Sequence, residues 1–205
     1  MRAPDFWHTP GMMGKTLSPL SVLWRAGAAL RNFGAGRPWT APVPILCVGN
    51  LTAGGAGKTP LAIDLTRALL TKGYKPNLLS RGYGGTLQGP VLVDPSNHRA
   101  SKVGDEPLLL AGTAPTWVSR DRIEGVKHAI ENGANIVVMD DGFQNPAIAK
   151  TLSILTIDGG YGVGNGQVIP AGPLREPIAA GLDRCDAIVI LGRSEEHTSE
   201  LQSRP

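Results

Sequence analysis

Eight consecutive residues, Thr52-Ala53-Gly54-Gly55-Ala56-Gly57-Lys58-Thr59, have the types and spacing needed to hold a chain of phosphates. Gly54, Gly55 and Gly57 let backbone N–H groups turn inward around phosphate oxygens, because side chains there would block the approach. Lys58 is then placed to reach β- and γ-phosphates, and the Thr59 hydroxyl to hold Mg²⁺. The usual pattern opens on a glycine where Thr52 stands, a position threonine fills when its φ is negative. Such a site needs an acid for its metal, and Ile136-Val-Val-Met-Asp140-Asp141 offers two carboxylates at the end of an apolar run. Their structural alternative is a pair of acids capping a turn before Gly142. ATP with Mg²⁺ is the expected ligand pair, and phosphoryl transfer the expected chemistry.

The elements that must position these groups are legible around them. Pro44–Asn50 reads as a strand leading into the loop, and Pro60–Lys72 as an amphipathic helix closed by Gly73. Apolar or β-branched runs then alternate with helical stretches: Asn77–Leu79, Trp117–Ser119, Arg122–Glu131, Ile136–Met139, Ser153–Ile157 and Ala187–Leu191. The alternation predicts an α/β fold with a mainly parallel sheet and covering helices. Long Gly/Pro-rich connections at 80–89 and 159–177 fall where ligands bind in such folds, beside the carboxyl ends of strands. Cys47 and Cys185 sit in apolar, strand-like runs without ligand spacing, which predicts buried, unpaired thiols in a reducing compartment.

With 205 residues, 41% of them hydrophobic and 18% charged, the chain is long enough for one ordinary domain and its core. Its charge is unevenly spread. Residues 1–44 carry five basic side chains against one acidic, residues 45–192 thirteen of each, and residues 193–205 two basic against three acidic. The whole positive excess is therefore N-terminal, which suits an anionic surface, either lipid or nucleic acid. Leu17–Phe33 reads as a helix with Ser18 as N-cap, Pro19 at its first position and Gly34 as terminator. Leu20, Leu23, Trp24, Gly27 and Leu30 share one face; that face either packs on the body or lies in a membrane interface, with Phe6, Trp7, Met12 and Met13 just upstream. The segment is too short and charged to span a bilayer, and Pro19 and Arg25 interrupt any signal-peptide core.

Taken together, the motifs resemble the tetraacyldisaccharide 4′-kinase family. The resemblance rests on Val48-Gly-Asn-Leu-Thr-Ala-Gly-Gly-Ala-Gly-Lys-Thr59, Ser80-Arg-Gly-Tyr-Gly84, Val103-Gly-Asp-Glu-Pro107, Asp140-Asp-Gly-Phe-Gln144, Gly164-Asn-Gly166 and Pro170-Ala-Gly-Pro-Leu-Arg-Glu-Pro177. It implies an ATP-dependent enzyme that phosphorylates the lipid A disaccharide precursor, with no nucleic-acid partner, seated peripherally at the cytoplasmic face of the bacterial inner membrane. It also implies that Asp105 accepts the proton of the sugar hydroxyl, that Arg175 counters phosphate or lipid charge with Glu176 beside the site, and that Tyr83 contacts nucleotide or sugar and Arg122 phosphate. Read unaided, Asp105 and Glu106 are a helix-start pair beside Pro107, Arg175 and Glu176 are turn residues between prolines, and Tyr83 and Arg122 have packing or surface roles. The family accepts Ser or Thr at the position of Thr52, and often has His where Asn145 stands here.

Three segments follow: 1–44, a basic amphipathic membrane-facing segment; 45–192, an incomplete P-loop kinase core; and 193–205, a tail that breaks the pattern after Gly192. Family members continue past that point into a smaller C-terminal part with a functional His. Other readings are a different P-loop small-molecule enzyme, a nucleotide switch or metallochaperone, or, for the chain as written, an inactive truncation; the Asn-Lys-x-Asp of a GTPase is absent from the sequence. Residues 193–203 can be back-translated as a sequencing-library adapter, the alternative being a natural polar tail. Resequencing the genomic locus is expected to show different codons after Gly192; an uninterrupted native run through 193–205 would refute the adapter origin.

Overall fold

The computed structural model describes residues 4–34 and 36–192. The expected tail, 193–205, lies outside the described residues. Strands β1 (Ile45–Gly49), β2 (Pro76–Ser80) and β5 (Ile136–Asp140) are buried at every position, as near-continuous apolar runs require when both faces of a parallel sheet are covered. They form the centre of a seven-stranded sheet with β3 (Val91–Leu92), β4 (Thr116–Val118), β6 (Leu152–Asp158) and β7 (Ala187–Leu191), in the order β3-β4-β2-β5-β1-β6-β7. Every pairing is parallel except β3 on β4. The predicted α/β class with a mainly parallel sheet is the fold observed.

Side chains alternate across the sheet with the period of a strand. Leu46, Val48, Leu78, Ile136 and Val138 face α2 (Lys58–Thr71) and Leu110 of α4 (Asp105–Ala111). Ile45, Cys47, Leu79, Val137 and Met139 face Val126 and Ala129 of α5 (Arg122–Glu131). The short helices α3 (Ala100–Val103) and α6 (Ile178–Leu182), and the edge strand β3, had no clear sequence pattern because each is only two to five residues long. Cys47 is buried in β1 as expected; Cys185 instead lies half-buried in the turn between α6 and β7. Its apolar run begins only at Ala187, after Asp186, whose carboxylate accepts from the Ser153 N–H at 2.7 Å.

The N-terminal helix differs most from expectation. Helix α1 runs from Met12 to Gly34, so Ser18 is not its cap and Pro19 lies inside it. Proline removes the bond to the carbonyl four residues back. Here that carbonyl belongs to Lys15, which is as exposed as Pro19 and open to water. The apolar face is turned outward: Leu20, Leu23, Trp24 and Leu30 are all exposed. The inward face is made of Gly14, Leu17, Ser21 and Ala28. Packing of the apolar stripe on the body is therefore not what holds α1.

Close approach at Gly49 joins the sheet to the loop after β5, since a Cβ there would collide with Cβ of Phe143. Phe143 is 1% exposed, and its Cβ moves only with its backbone. Gly49→Ala is expected to cost about 1–3 kcal/mol by overpacking, read as a lowered urea midpoint at unchanged slope; an unchanged midpoint would show that this loop yields freely.

Candidate active site

β1 and β5 are neighbours, with Val48 opposite Asp140, so the loop after one strand and the acids after the other emerge side by side. The chain leaves β1 through Asn50–Gly57 and enters α2 at Lys58. Gly57 has φ 69° and its absent side chain leaves room for Leu191 of β7. Lys58 and Thr59 occupy the first turn of α2 at 8% and 9% exposure. That helix end directs free N–H groups and a partial positive charge at the loop.

Thr59 Oγ1 donates to Asp140 Oδ2 at 3.0 Å. Asp140 is fully buried, and its Oδ1 has no partner among the described residues. Burial, and then the charge of Glu106, push its carboxyl up to about 6, with the Thr59 bond acting against them. A buried carboxylate oxygen without a hydrogen bond, beside a threonine hydroxyl, is a hard donor pair suited to Mg²⁺. No group of three His, Cys, Asp or Glu side chains placed to hold a metal ion lies among the described residues. Such a metal takes its remaining ligands from water and phosphate.

Asp141 has a different neighbourhood. Its backbone sits at φ 54°, unusual outside glycine. Its carboxylate meets Arg175 Nη1 at 2.9 Å and Lys58 Nζ at 3.8 Å. Arg122, 4% exposed, donates to the Asp141 carbonyl at 3.4 Å. Burial pulls the Arg122 guanidinium down to about 10, partly offset by the Asp141 charge. The expected acids thus divide: Asp140 faces Thr59, and Asp141 faces cations.

Arg175 and Glu176 are carried by the connection 159–177, which is stitched to the P-loop. Ala53 N–H donates to the Pro173 carbonyl at 2.7 Å and Arg175 N–H to the Leu51 carbonyl at 2.7 Å, while Thr52 bridges Leu174. Glu176 accepts from Gln144 Nε2 at 3.2 Å and pairs with Arg184, whose guanidinium lies 4.9 Å from the Phe143 ring centre. Two contributors were not identified from the sequence. Asn50, fully buried, donates to Thr52 Oγ1 and the Gly54 carbonyl, both at 3.3 Å, and so braces the loop. Gln144 donates to the Asn50 carbonyl at 2.9 Å. Neither shows a periodicity; only their places inside conspicuous motifs marked them.

Asp105 stands exposed at the head of α4 behind Gly104, whose φ is 94°, and its carboxylate makes no hydrogen bond or ion pair among the described residues. Gly82 and Gly85 pack against the backbone of residues 102–104, which holds the 80–84 loop beside this turn. Tyr83, on that loop, is 86% exposed and is not brought into contact with the other site residues. A cavity of about 780 Å³ opens beside Asp141, lined by Arg81, Arg120, Arg122 and Arg175 together with Leu23 and Trp24 of α1.

A glycine loop after β1, Lys58 and Thr59 at the head of α2, and an acid on the adjoining strand define a P-loop phosphate-binding protein of the α/β class. Residues 13–204 match the family model described as tetraacyldisaccharide-1-P 4′-kinase, LpxK. The chain belongs to that family. It is 52% identical over 206 residues to the tetraacyldisaccharide 4′-kinase of Rhodospirillum centenum, covering 98% of this chain and 61% of that one. It is 53% identical over 199 residues to that of Rhodospirillum rubrum, covering 96% and 59%. LpxK from Aquifex aeolicus, solved in complex with ATP, superposes with a TM-score of 0.76 at 29% identity, covering 95% of this chain and 62% of that one. The chain thus spans about three fifths of the length of these relatives.

The raised carboxyl of Asp140 predicts a pH dependence. A carboxyl with a raised folded pKa binds more protons folded than unfolded, so its ionisation costs stability as pH climbs from about 4 to about 6. In EDTA near pH 8, Asp140→Asn is expected to raise stability by on the order of 1–2 kcal/mol, with the gain gone near pH 4, as read by chemical denaturation at both pH values. An equal gain at both would show that the carboxylate carries no such penalty.

Proposed function

We propose that this chain acts as an ATP-dependent kinase that transfers the γ-phosphate to the 4′-hydroxyl of tetraacyldisaccharide 1-phosphate, the lipid A precursor. The observation that carries the reading is the cavity beside Asp141, lined both by Arg81, Arg120, Arg122 and Arg175 and by Leu23 and Trp24 of α1. An amphiphilic anion, with phosphate and sugar at one end and acyl chains at the other, suits those walls better than a nucleic acid, which would find no apolar counterpart in Leu23 and Trp24.

The residues divide the work. Backbone N–H groups of Gly54–Gly57 and the Lys58 ammonium hold the phosphates, aided by the end of α2, while the Ala53 N–H stays on the Pro173 carbonyl. Mg²⁺ would be held by Thr59 and Asp140 and would neutralise charge on the transferred group. Asp141 pulls Lys58 and Arg175 toward one point, and Arg175 then offsets phosphate charge. Glu176 keeps Gln144 in place against Arg175, whose Nη1 lies 3.4 Å from Gln144 Oε1. Arg122 adds fixed charge behind Asp141. Asp105 serves as base: as the acceptor oxygen bonds to phosphorus and the bond to the β,γ-bridging oxygen breaks, the hydroxyl proton passes to its carboxylate and ADP leaves. Tyr83, free at the loop tip, is available to close on nucleotide or sugar.

The outward apolar face of α1 and the N-terminal basic excess support peripheral seating on an anionic membrane, here the cytoplasmic face of the inner membrane. Among the described residues no helix is long and apolar enough to cross one. On this reading residues 1–44 are the membrane-facing segment and 45–192 the kinase core.

The test is ATP-dependent phosphate transfer to the purified disaccharide lipid in detergent micelles, by these residues carried in a polypeptide of the relatives' full length. Lys58→Ala and Asp105→Ala are each expected to lower kcat by about 10²–10⁴-fold. No transfer by the unaltered protein would sink the kinase reading; full activity in Asp105→Ala would remove only its role as base.

A further inference from the structure

Helix α1 has an inverted layout. Apart from Leu17, its inward face is polar or small, and its hydrogen bonds and close contacts converge on one connection, the stretch from Asn165 to Arg175. Ser21, 7% exposed, donates through Oγ to the Val168 carbonyl at 2.7 Å. At Gly14 an added Cβ would come within 3.2 Å of the Ala171 carbonyl oxygen. Just upstream, Trp7 Nε1 donates to the Pro170 carbonyl at 3.1 Å, and Asn165 N–H to the Trp7 carbonyl at 2.7 Å. One turn beyond Ser21, Trp24 donates from Nε1 to the carbonyl of Arg175 at 3.1 Å, although half its surface is exposed, 48%.

The other side of the same connection is tied to the P-loop through Ala53 N–H on Pro173 and Arg175 N–H on Leu51. Arg175 is therefore pinned at three points: its N–H by the residue before the phosphate loop, its guanidinium by Asp141, and its carbonyl by α1. The first two are made between residues of the sheet-bearing part of the chain, 45–192. Only the third reaches a helix whose remaining surface faces outward, and a carbonyl bond sets the peptide plane from which the arginine side chain departs.

We propose that Trp24 is a positioning residue: its indole N–H registers Arg175 against Asp141 and the P-loop, so that α1 is a structural part of the phosphate site as well as an outward apolar face. The inference rests on the nucleotide site of the proposed function and is independent of its lipid acceptor.

The experiment uses this chain and Trp24→Phe, which keeps an apolar ring and removes only the donor, each alone and combined with Arg175→Ala. Affinity for a fluorescent ATP analogue with Mg²⁺ is measured in all four proteins. Trp24→Phe is expected to weaken binding about fivefold when Arg175 is present, and to have almost no effect when Arg175 is alanine, because residues in one network couple. A merely structural tryptophan would weaken binding equally in both backgrounds; that result, or no effect in either, overturns the proposal. Amide exchange supplies a readout that needs no nucleotide. In Trp24→Phe the N–H groups of Arg175 and Ala53 are expected to exchange about tenfold faster while Leu155 in β6 keeps its rate; unchanged rates at Arg175 and Ala53 overturn it as well. If the unaltered chain binds no nucleotide, exchange alone decides the role of Trp24, and the kinase reading stands or falls separately on the transfer assay.

Discussion

The parallel pairing of β1 with β5 is the constraint from which the rest of the site follows. It sets Val48 opposite Asp140, so the glycine loop and the buried acid lie together at the carboxyl ends of adjacent strands, joined by a hydrogen bond between Thr59 and Asp140, 81 residues apart. Chain order alone would put β2 beside β1. Instead β5 enters between them, and the reversal of strand order opens the crevice in which α/β sheets bind their ligands. Burial of both strands on both faces fixes the register, because a slip by one residue would exchange every side chain between the two helical layers.

Electrostatics then sorts residues that look equivalent in one dimension. Asp140 and Asp141 are adjacent, but the strand's alternation sends one carboxylate under the phosphate loop and leaves the other at the cavity mouth. Asp140 pays for its burial with a raised pKa, and Thr59 returns only part of that cost. Asp141 instead balances Lys58 and Arg175, with Arg122 behind its carbonyl. Arg81, Arg120, Arg122 and Arg175 line the same cavity, and Arg122 is held below its ordinary pKa by desolvation, with Arg81 adding to the effect. Four guanidinium groups against one facing carboxylate leave a positive surplus, which an anionic ligand would offset.

Helix α1 extends that logic to the outside of the molecule. Hydrogen bonds to carbonyls of one connection hold it in place, so its apolar side is left free. The same connection carries Arg175 and is laced to Leu51, Thr52 and Ala53. Outer helix, arginine and phosphate loop form one continuous structure with few independent joints.

Much of this was legible in the order of residues. The α/β alternation, the phosphate loop, its helix and the acid-bearing strand are local patterns: glycines at fixed spacing, a 3.6-residue helical period and short apolar runs each imply their own geometry. The start of α1 was misread because Ser18-Pro19 carries a strong local start signal, while close approach at Gly14 and the Trp7 hydrogen bond hold the residues before it against the body. The inversion of its faces was also hidden, since periodicity locates a stripe without saying which side of it meets the protein. Asn50, Gln144 and the cavity arginines, drawn from separate loops and helices, became neighbours only through the strand order. Sequence by itself determined which local parts exist and what chemistry their side chains can perform. The tertiary structure decided which parts meet, because long-range pairing and burial, which no local pattern encodes, bring Asp140 under Thr59, Arg175 against Asp141, and Trp24 onto the carbonyl behind it.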